Sequence, residues 1–198
     1  MMKNLLHLFV AGAMLFASCS GTSTPKEQTS CQSDSTCKQE SNNSDCHKKA
    51  CYQSVEGKFA INFPGNPQIE KTEENPAKGL VLMMNQYTYQ QNEKAFYIVS
   101  YTDYPQGSVS EDNAYDKCCE RADAFVKTLG GNLEKTAKEK INKNKGCAFN
   151  TVVKDSLNVD MVLVFNGNRF YQYGVMYYNS EISSKEARKF IDSFEILK

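Results

Sequence analysis

Residues 159–178 carry the clearest alternation in the chain. The runs VDMVLVF and RFYQYGVMYY, rich in β-branched and aromatic side chains, flank Asn166-Gly167. That dipeptide tolerates positive φ and predicts a two-residue type I′ turn. The register then sets Phe165 opposite Asn168, Leu163 opposite Phe170 and Met161 opposite Gln172 on one face. On the other face Val164 meets Arg169 and Val162 meets Tyr171. Both faces are largely apolar, which places the hairpin near the middle of an antiparallel sheet covered on both sides by helices or another layer.

Other elements follow the same logic. Phe59, Ile61 and Phe63 alternate as a strand until Pro64-Gly65-Asn66-Pro67 stops it, and a polar loop then runs past Glu73, Glu74 and Pro76 to Gly79. Residues 80–89 and 95–104 read as two long strands, and Cys147, Phe149, Thr151 and Val153 share one face of another. Residues 133–141 alternate imperfectly among Lys135, Lys138 and Lys140, with Lys143 and Lys145 just beyond, a pattern that suits an edge strand guarded against self-pairing. The competing reading is a patch for anionic ligands or lipid headgroups. Ala114, Cys118, Ala122, Phe125, Val126 and Leu129 form a helical stripe that Gly130-Gly131 ends. Ser108 and Glu111 have capping-box spacing, and Ser110 is a competing cap. Ser183 and Glu186 repeat the capping box before Ala187, Phe190, Ile191 and Phe194, and residues 195–197 then add a short strand or pack back on the sheet.

Lys and Arg number 23, as do Asp and Glu, and tryptophan is absent. This balance, with an ordinary apolar fraction, argues against a nucleic-acid partner. The N-terminus changes the picture more. Lys3, the apolar residues 5–16 and the small Ala17-Ser18 before Cys19 resemble a bacterial lipoprotein signal peptide, with Phe16 standing where leucine is commonest. The resemblance implies removal of residues 1–18, acylation of Cys19 and attachment to the membrane through lipid. Ser20, in place of Asp, favours the outer membrane, facing the periplasm. Ordinary secretion with nearby cleavage is the simpler alternative. Residues 19–56 read as the lipidated cysteine and a polar tether, because so few large apolar residues cannot offset the entropy of ordering; residues 57–198 read as the globular domain.

Cysteine is the tether's oddity, with Cys31, Cys37, Cys46 and Cys51 inside it and His47 beside Cys46. In an oxidising envelope these cysteines read as two local disulfides of undetermined connectivity. Soft-metal binding by the thiolates with His47 is the sharper alternative, although the spacing matches no zinc pattern. Redox exchange is a third, without a C-x-x-C to lower a thiol pKa. Cys118 and Cys119 diverge by about 100° on a helix, which disfavours a vicinal disulfide and makes Cys118 a small core residue. Seven cysteines remain beyond Cys19, an odd number, so at least one is free, metal-bound or paired between chains.

Residues 57–198 contain no histidine, which excludes Ser-His-Asp or Cys-His catalysis and histidine metal sites there. No glycine-rich phosphate loop occurs. Tyr87, Tyr89, Tyr101, Tyr104, Tyr171, Tyr173, Tyr177 and Tyr178 suit a ligand groove or, more commonly, half-buried strands; no groove residue is assignable.

The stretches GKFAINFPGNP from residue 57, YIVSYTDYP from 97 and FIDSFEI from 190 resemble the PsbP-like group. The resemblance implies an α+β fold, a central antiparallel sheet flanked by helices in an αβα sandwich. It also implies a binding or assembly module rather than an enzyme. The expectation is a non-catalytic, lipid-anchored binding or accessory module of the bacterial cell envelope, without a cofactor, its partner an envelope protein or an unidentified ligand. The alternative is a metal- or thiol-handling envelope protein that uses the tether cysteines.

Overall fold

A computed structural model describes residues 52–77, 80–141 and 143–198. Its strands are β1 (Tyr52–Ser54), β2 (Phe59–Ile61), β3 (Gln68–Ala77), β4 (Leu80–Gln91), β5 (Ala95–Asp103), β6 (Ala137–Ile141), β7 (Asn144–Val153), β8 (Leu157–Asn166), β9 (Arg169–Tyr177) and β10 (Glu195–Ile196). The helices are α1 (Ala114–Thr128) and α2 (Ser184–Asp192). Seven strands form one antiparallel sheet in the order β3-β4-β5-β9-β8-β7-β6, and β1, β2 and β10 form a second. Among the described residues no helix is long and apolar enough to cross a membrane.

This architecture corrects the expected αβα sandwich. The described chain is mostly strand with two short helices, and neither face of the large sheet is covered by a full layer of helices. On one face the layer opposite Tyr97, Val99, Tyr171 and Tyr173 is the small sheet together with the nine-residue α2; Phe59, Ile61, Phe190, Phe194 and Ile196 close that core. On the other face α1 packs on β7 and β8 through the small residues Ala114, Cys118 and Ala122, which let helix and sheet approach closely. The two-sided apolar hairpin does need cover on both faces, and a sheet supplies much of it where helices were expected.

Three local expectations also change. Residues 68–77, read as a polar loop, form the ten-residue β3, which lies at one edge of the large sheet. An edge strand exposed on much of its surface needs no apolar alternation, and its charges and Pro76 suit an unpaired edge. The central turn moves by one residue. Asn166 pairs with Arg169, and the loop is Gly167-Asn168. Only Gly167 of these two has positive φ, +61°, which is the type II′ requirement. Asn168 is instead held at the end of β5, where its Nδ2 donates to Tyr104 O at 2.8 Å and its carbonyl accepts from Tyr104 N at 2.9 Å. The register therefore slides by two along β9, with Leu163 opposite Gln172 and Phe165 opposite Phe170, and every side chain keeps its expected face. Finally, α1 begins after Asn113 without a side-chain cap, not at a Ser108 or Ser110 capping box. The box at α2 does form: Ser183 Oγ accepts from Glu186 N, and Glu186 Oε2 accepts from Ser183 N.

Tyr52–Ser54, read as the end of the polar tether, pair with β2, and Tyr52 packs edge-on against Phe63 and Tyr87. The lysine-rich residues do include an edge strand, β6.

Candidate functional site

Register builds the site. Lys71 pairs with Asn85, Asn85 with Tyr101 and Tyr101 with Tyr171, so four residues from β3, β4, β5 and β9 lie in one row across the sheet; Asp103 and Arg169 face each other one step along. All project to the face that carries the small sheet. The turn from β1 to β2 is fastened over this row. Ser54 Oγ accepts from Gly57 N at 2.9 Å and meets Tyr87 OH at 2.9 Å, while Tyr171 OH donates to Gly57 O at 2.8 Å. A Cβ on Gly57 would meet the Phe59 ring at 2.7 Å, so the turn needs glycine. It brings Glu56 over the sheet, where the Glu56 carbonyl accepts from Arg169 Nη1 at 2.8 Å.

The result is a cavity of about 420 Å³ lined by Glu56, Lys71, Val81, Leu82, Met83, Asn85, Tyr101, Asp103 and Arg169. Its charges are paired. Arg169 Nε and Nη2 donate to the two oxygens of Asp103 at 2.6 Å each, and its guanidinium lies 4.5 Å from the Tyr101 ring centre. These bonds to Asp103 push the Arg169 pKa further up, so the group stays charged and is committed to Asp103 and the Glu56 carbonyl. At the rim Lys71 Nζ donates to Glu56 Oε1 at 3.0 Å, and that bond holds the Glu56 carboxyl below the usual range.

Two polar atoms are left over. Asn85 is 7% exposed and Tyr101 1%, and neither the Asn85 Oδ1 nor the Tyr101 hydroxyl makes a hydrogen bond of good geometry, although the Tyr101 hydroxyl interacts with the Glu56 carboxyl and the Tyr87 hydroxyl. Tyr87 and Glu56 stand near the Tyr101 hydroxyl, and burial pushes its pKa up, so the phenol is neutral and can both donate and accept. A buried polar atom without a partner costs roughly 1–3 kcal/mol. Around these two atoms the rim is apolar and open to solvent, with Val81 58% and Met83 44% exposed. The cavity thus offers unspent hydrogen-bonding capacity at its base, apolar surface at its mouth and no net charge from its paired side chains.

A second hollow, of about 370 Å³, lies among Asn62, Tyr97, Ile182, Glu186, Lys189 and Phe190. There Tyr97 OH donates to Gln91 Oε1 at 3.2 Å and Glu186 is committed to the helix cap. It lacks the unpartnered buried atoms of the first.

The residues singled out in the sequence fall elsewhere. Cys19, Cys31, Cys37, Cys46, His47 and Cys51 lie outside the described residues. Most of the tyrosines are core rather than groove: Tyr87, Tyr171, Tyr173 and Tyr177 are buried beneath the small sheet and α2, and Tyr104 and Tyr178 pack on the opposite core. Tyr101 alone of that set reaches the cavity. Asn85, Arg169, Glu56 and Lys71 were missed. The available signal was Asn85 itself, a polar residue breaking the apolar stripe of Val81, Met83, Tyr87 and Tyr89 on one face of β4. Among the described residues no group of three or more His, Cys, Asp or Glu side chains is placed to hold a metal ion. No family model, curated protein or solved structure matches the chain.

Proposed function

We infer that this chain is a non-catalytic binding or accessory module of the bacterial cell envelope, anchored by lipid on Cys19, and that the Asn85–Tyr101 cavity is its ligand site. The observation that carries the binding reading is the unpartnered, nine-tenths buried Asn85 Oδ1 beside the neutral Tyr101 hydroxyl at the base of an apolar-rimmed cavity. Evolved interiors satisfy their buried polar groups, and a buried acceptor without a protein partner at the base of a solvent-open cavity is served by water or by a ligand that displaces it. The pairing of Arg169 with Asp103 and of Lys71 with Glu56 disfavours a strongly charged guest. The matching chemistry is an uncharged group with adjacent donor and acceptor, an amide or a hydroxyl pair, flanked by an apolar face that covers Val81 and Met83. The signal-like residues 3–19 support the envelope address.

Methyl NMR of Met83, titrated with N-acetylglucosamine, glucose and N-acetyl amino-acid amides, tests the site. Saturable shifts at Met83 are expected from a probe that offers both an amide and an apolar face. Asn85→Leu or Tyr101→Phe should weaken that binding about tenfold or more, the effect of losing one buried hydrogen bond. Binding left unchanged by both variants would remove the cavity from the account. Incorporation of a palmitate analogue, abolished by Cys19→Ser, tests the anchor separately.

A further inference from the structure

We propose that Cys119 and Cys147 are a disulfide-forming pair, a covalent modification site that ties α1 to the large sheet.

The buried stripe of α1 runs through Ala114, Cys118, Ala122 and Val126. Cys119, one residue further, is turned about 100° away to the margin of the helix–sheet interface, where it is half-buried. From there its Sγ reaches to 3.2 Å from the Sγ of Cys147 on β7. Both cysteines are free thiols in the structure. A disulfide bond is about 2.05 Å long, so the two sulfurs have roughly 1 Å left to close. The two thiols differ in access. Cys147 is fully buried beneath α1, whereas Cys119 opens toward the surface near Thr136 and is the sulfur an incoming oxidant meets first. Cys118 is a spectator. It has no exposed surface, and burial pushes its thiol up to about 12.

The oxidant is a low-molecular-weight or protein disulfide, R–S–S–R. The Cys119 thiolate attacks one of its sulfurs, breaks the R–S–S–R bond and releases one R–S⁻, leaving a mixed disulfide on Cys119. Cys147 loses its proton to solvent and attacks Cys119 Sγ, which forms the Cys119–Cys147 bond and expels the second R–S⁻. Two electrons pass from the two protein thiols to the oxidant, and two protons convert the released thiolates to two R–SH. Burial disfavours the Cys147 thiolate, so the second step is the slower one. The pairing also bears on the odd cysteine count, because it leaves Cys118 as the unpaired domain thiol.

The test is non-reducing tryptic mass spectrometry of the full-length protein incubated with oxidised or reduced glutathione, with free thiols blocked under denaturing conditions. The expected product is peptide CCER, residues 118–121, joined to GCAFNTVVK, residues 146–154, two hydrogens lighter than the separate peptides. Fragmentation between the adjacent cysteines should place the bond on Cys119. Cys118→Ala should keep the linkage and Cys119→Ser abolish it. A closed loop of this length should raise Tm by about 6–12 °C over the reduced protein. Blocked thiols at both positions after oxidation would overturn the proposal. So would glutathione retained on Cys119, or fragments that place the bond on Cys118.

Discussion

At the scale of single residues, Asp160 shows a cost the fold accepts. It projects from β8 toward the tyrosine-rich core and accepts a hydrogen bond from Tyr177 OH at 3.0 Å. Burial raises its pKa from the usual 3.8, outweighing the opposing effects of Tyr177 and Arg188. The folded protein therefore holds this proton more tightly than the unfolded chain does. The corresponding stability is complete below the ordinary value and is lost as pH rises through the raised one. Asp160→Asn keeps an acceptor for Tyr177 and removes the titration. Urea unfolding should find this variant more stable than the parent near pH 7 and about equal near pH 3. A parent that is the more stable of the two at neutral pH would mean that the charge is compensated. Arg169 has the opposite character, since three of its nitrogens have partners and its charge is satisfied where it lies.

At the scale of elements, the central hairpin shows what a sequence pattern carries and what it misses. Alternation correctly assigned each side chain of β8 and β9 to a face, because that depends only on the period of two. It did not decide between Asn166-Gly167 and Gly167-Asn168, because both dipeptides suit tight turns. The choice is made outside the hairpin, by Tyr104 binding Asn168 through both backbone and side chain. Gly167→Ala should accordingly cost about 1–2 kcal/mol for its left-handed φ. Asn166→Ala should stay within about 0.5 kcal/mol, as a surface change. Equal costs at the two positions in urea unfolding would restore the type I′ turn. The cap of α2 was legible because Ser183 and Glu186 interact locally. By contrast, β3 was hidden, since an edge strand with few buried side chains leaves no periodic signal and takes its order from pairing with β4.

At the scale of the whole molecule, the helical layer expected on the tyrosine-rich face gave way largely to a second sheet. The pairing of β2 with β10 joins residues more than a hundred positions apart, and three strands of two or three residues each carry almost no pattern of their own. The site was illegible for the same reason. Glu56, Lys71, Asn85, Tyr101 and Arg169 come from five separate segments and meet only through strand order and register. What a sequence could offer was one asparagine out of place on an apolar stripe. The central claim is that this asparagine serves a ligand and not the fold, and the stability of Asn85→Leu in the absence of any ligand tests it directly. Removing an unpartnered buried acceptor and extending the apolar lining should raise the unfolding free energy by about 1–2 kcal/mol, read from the shift of the urea midpoint. A loss of stability of that size would mean that Asn85 is a structural residue with its bonds already made, and the cavity would cease to be a binding site.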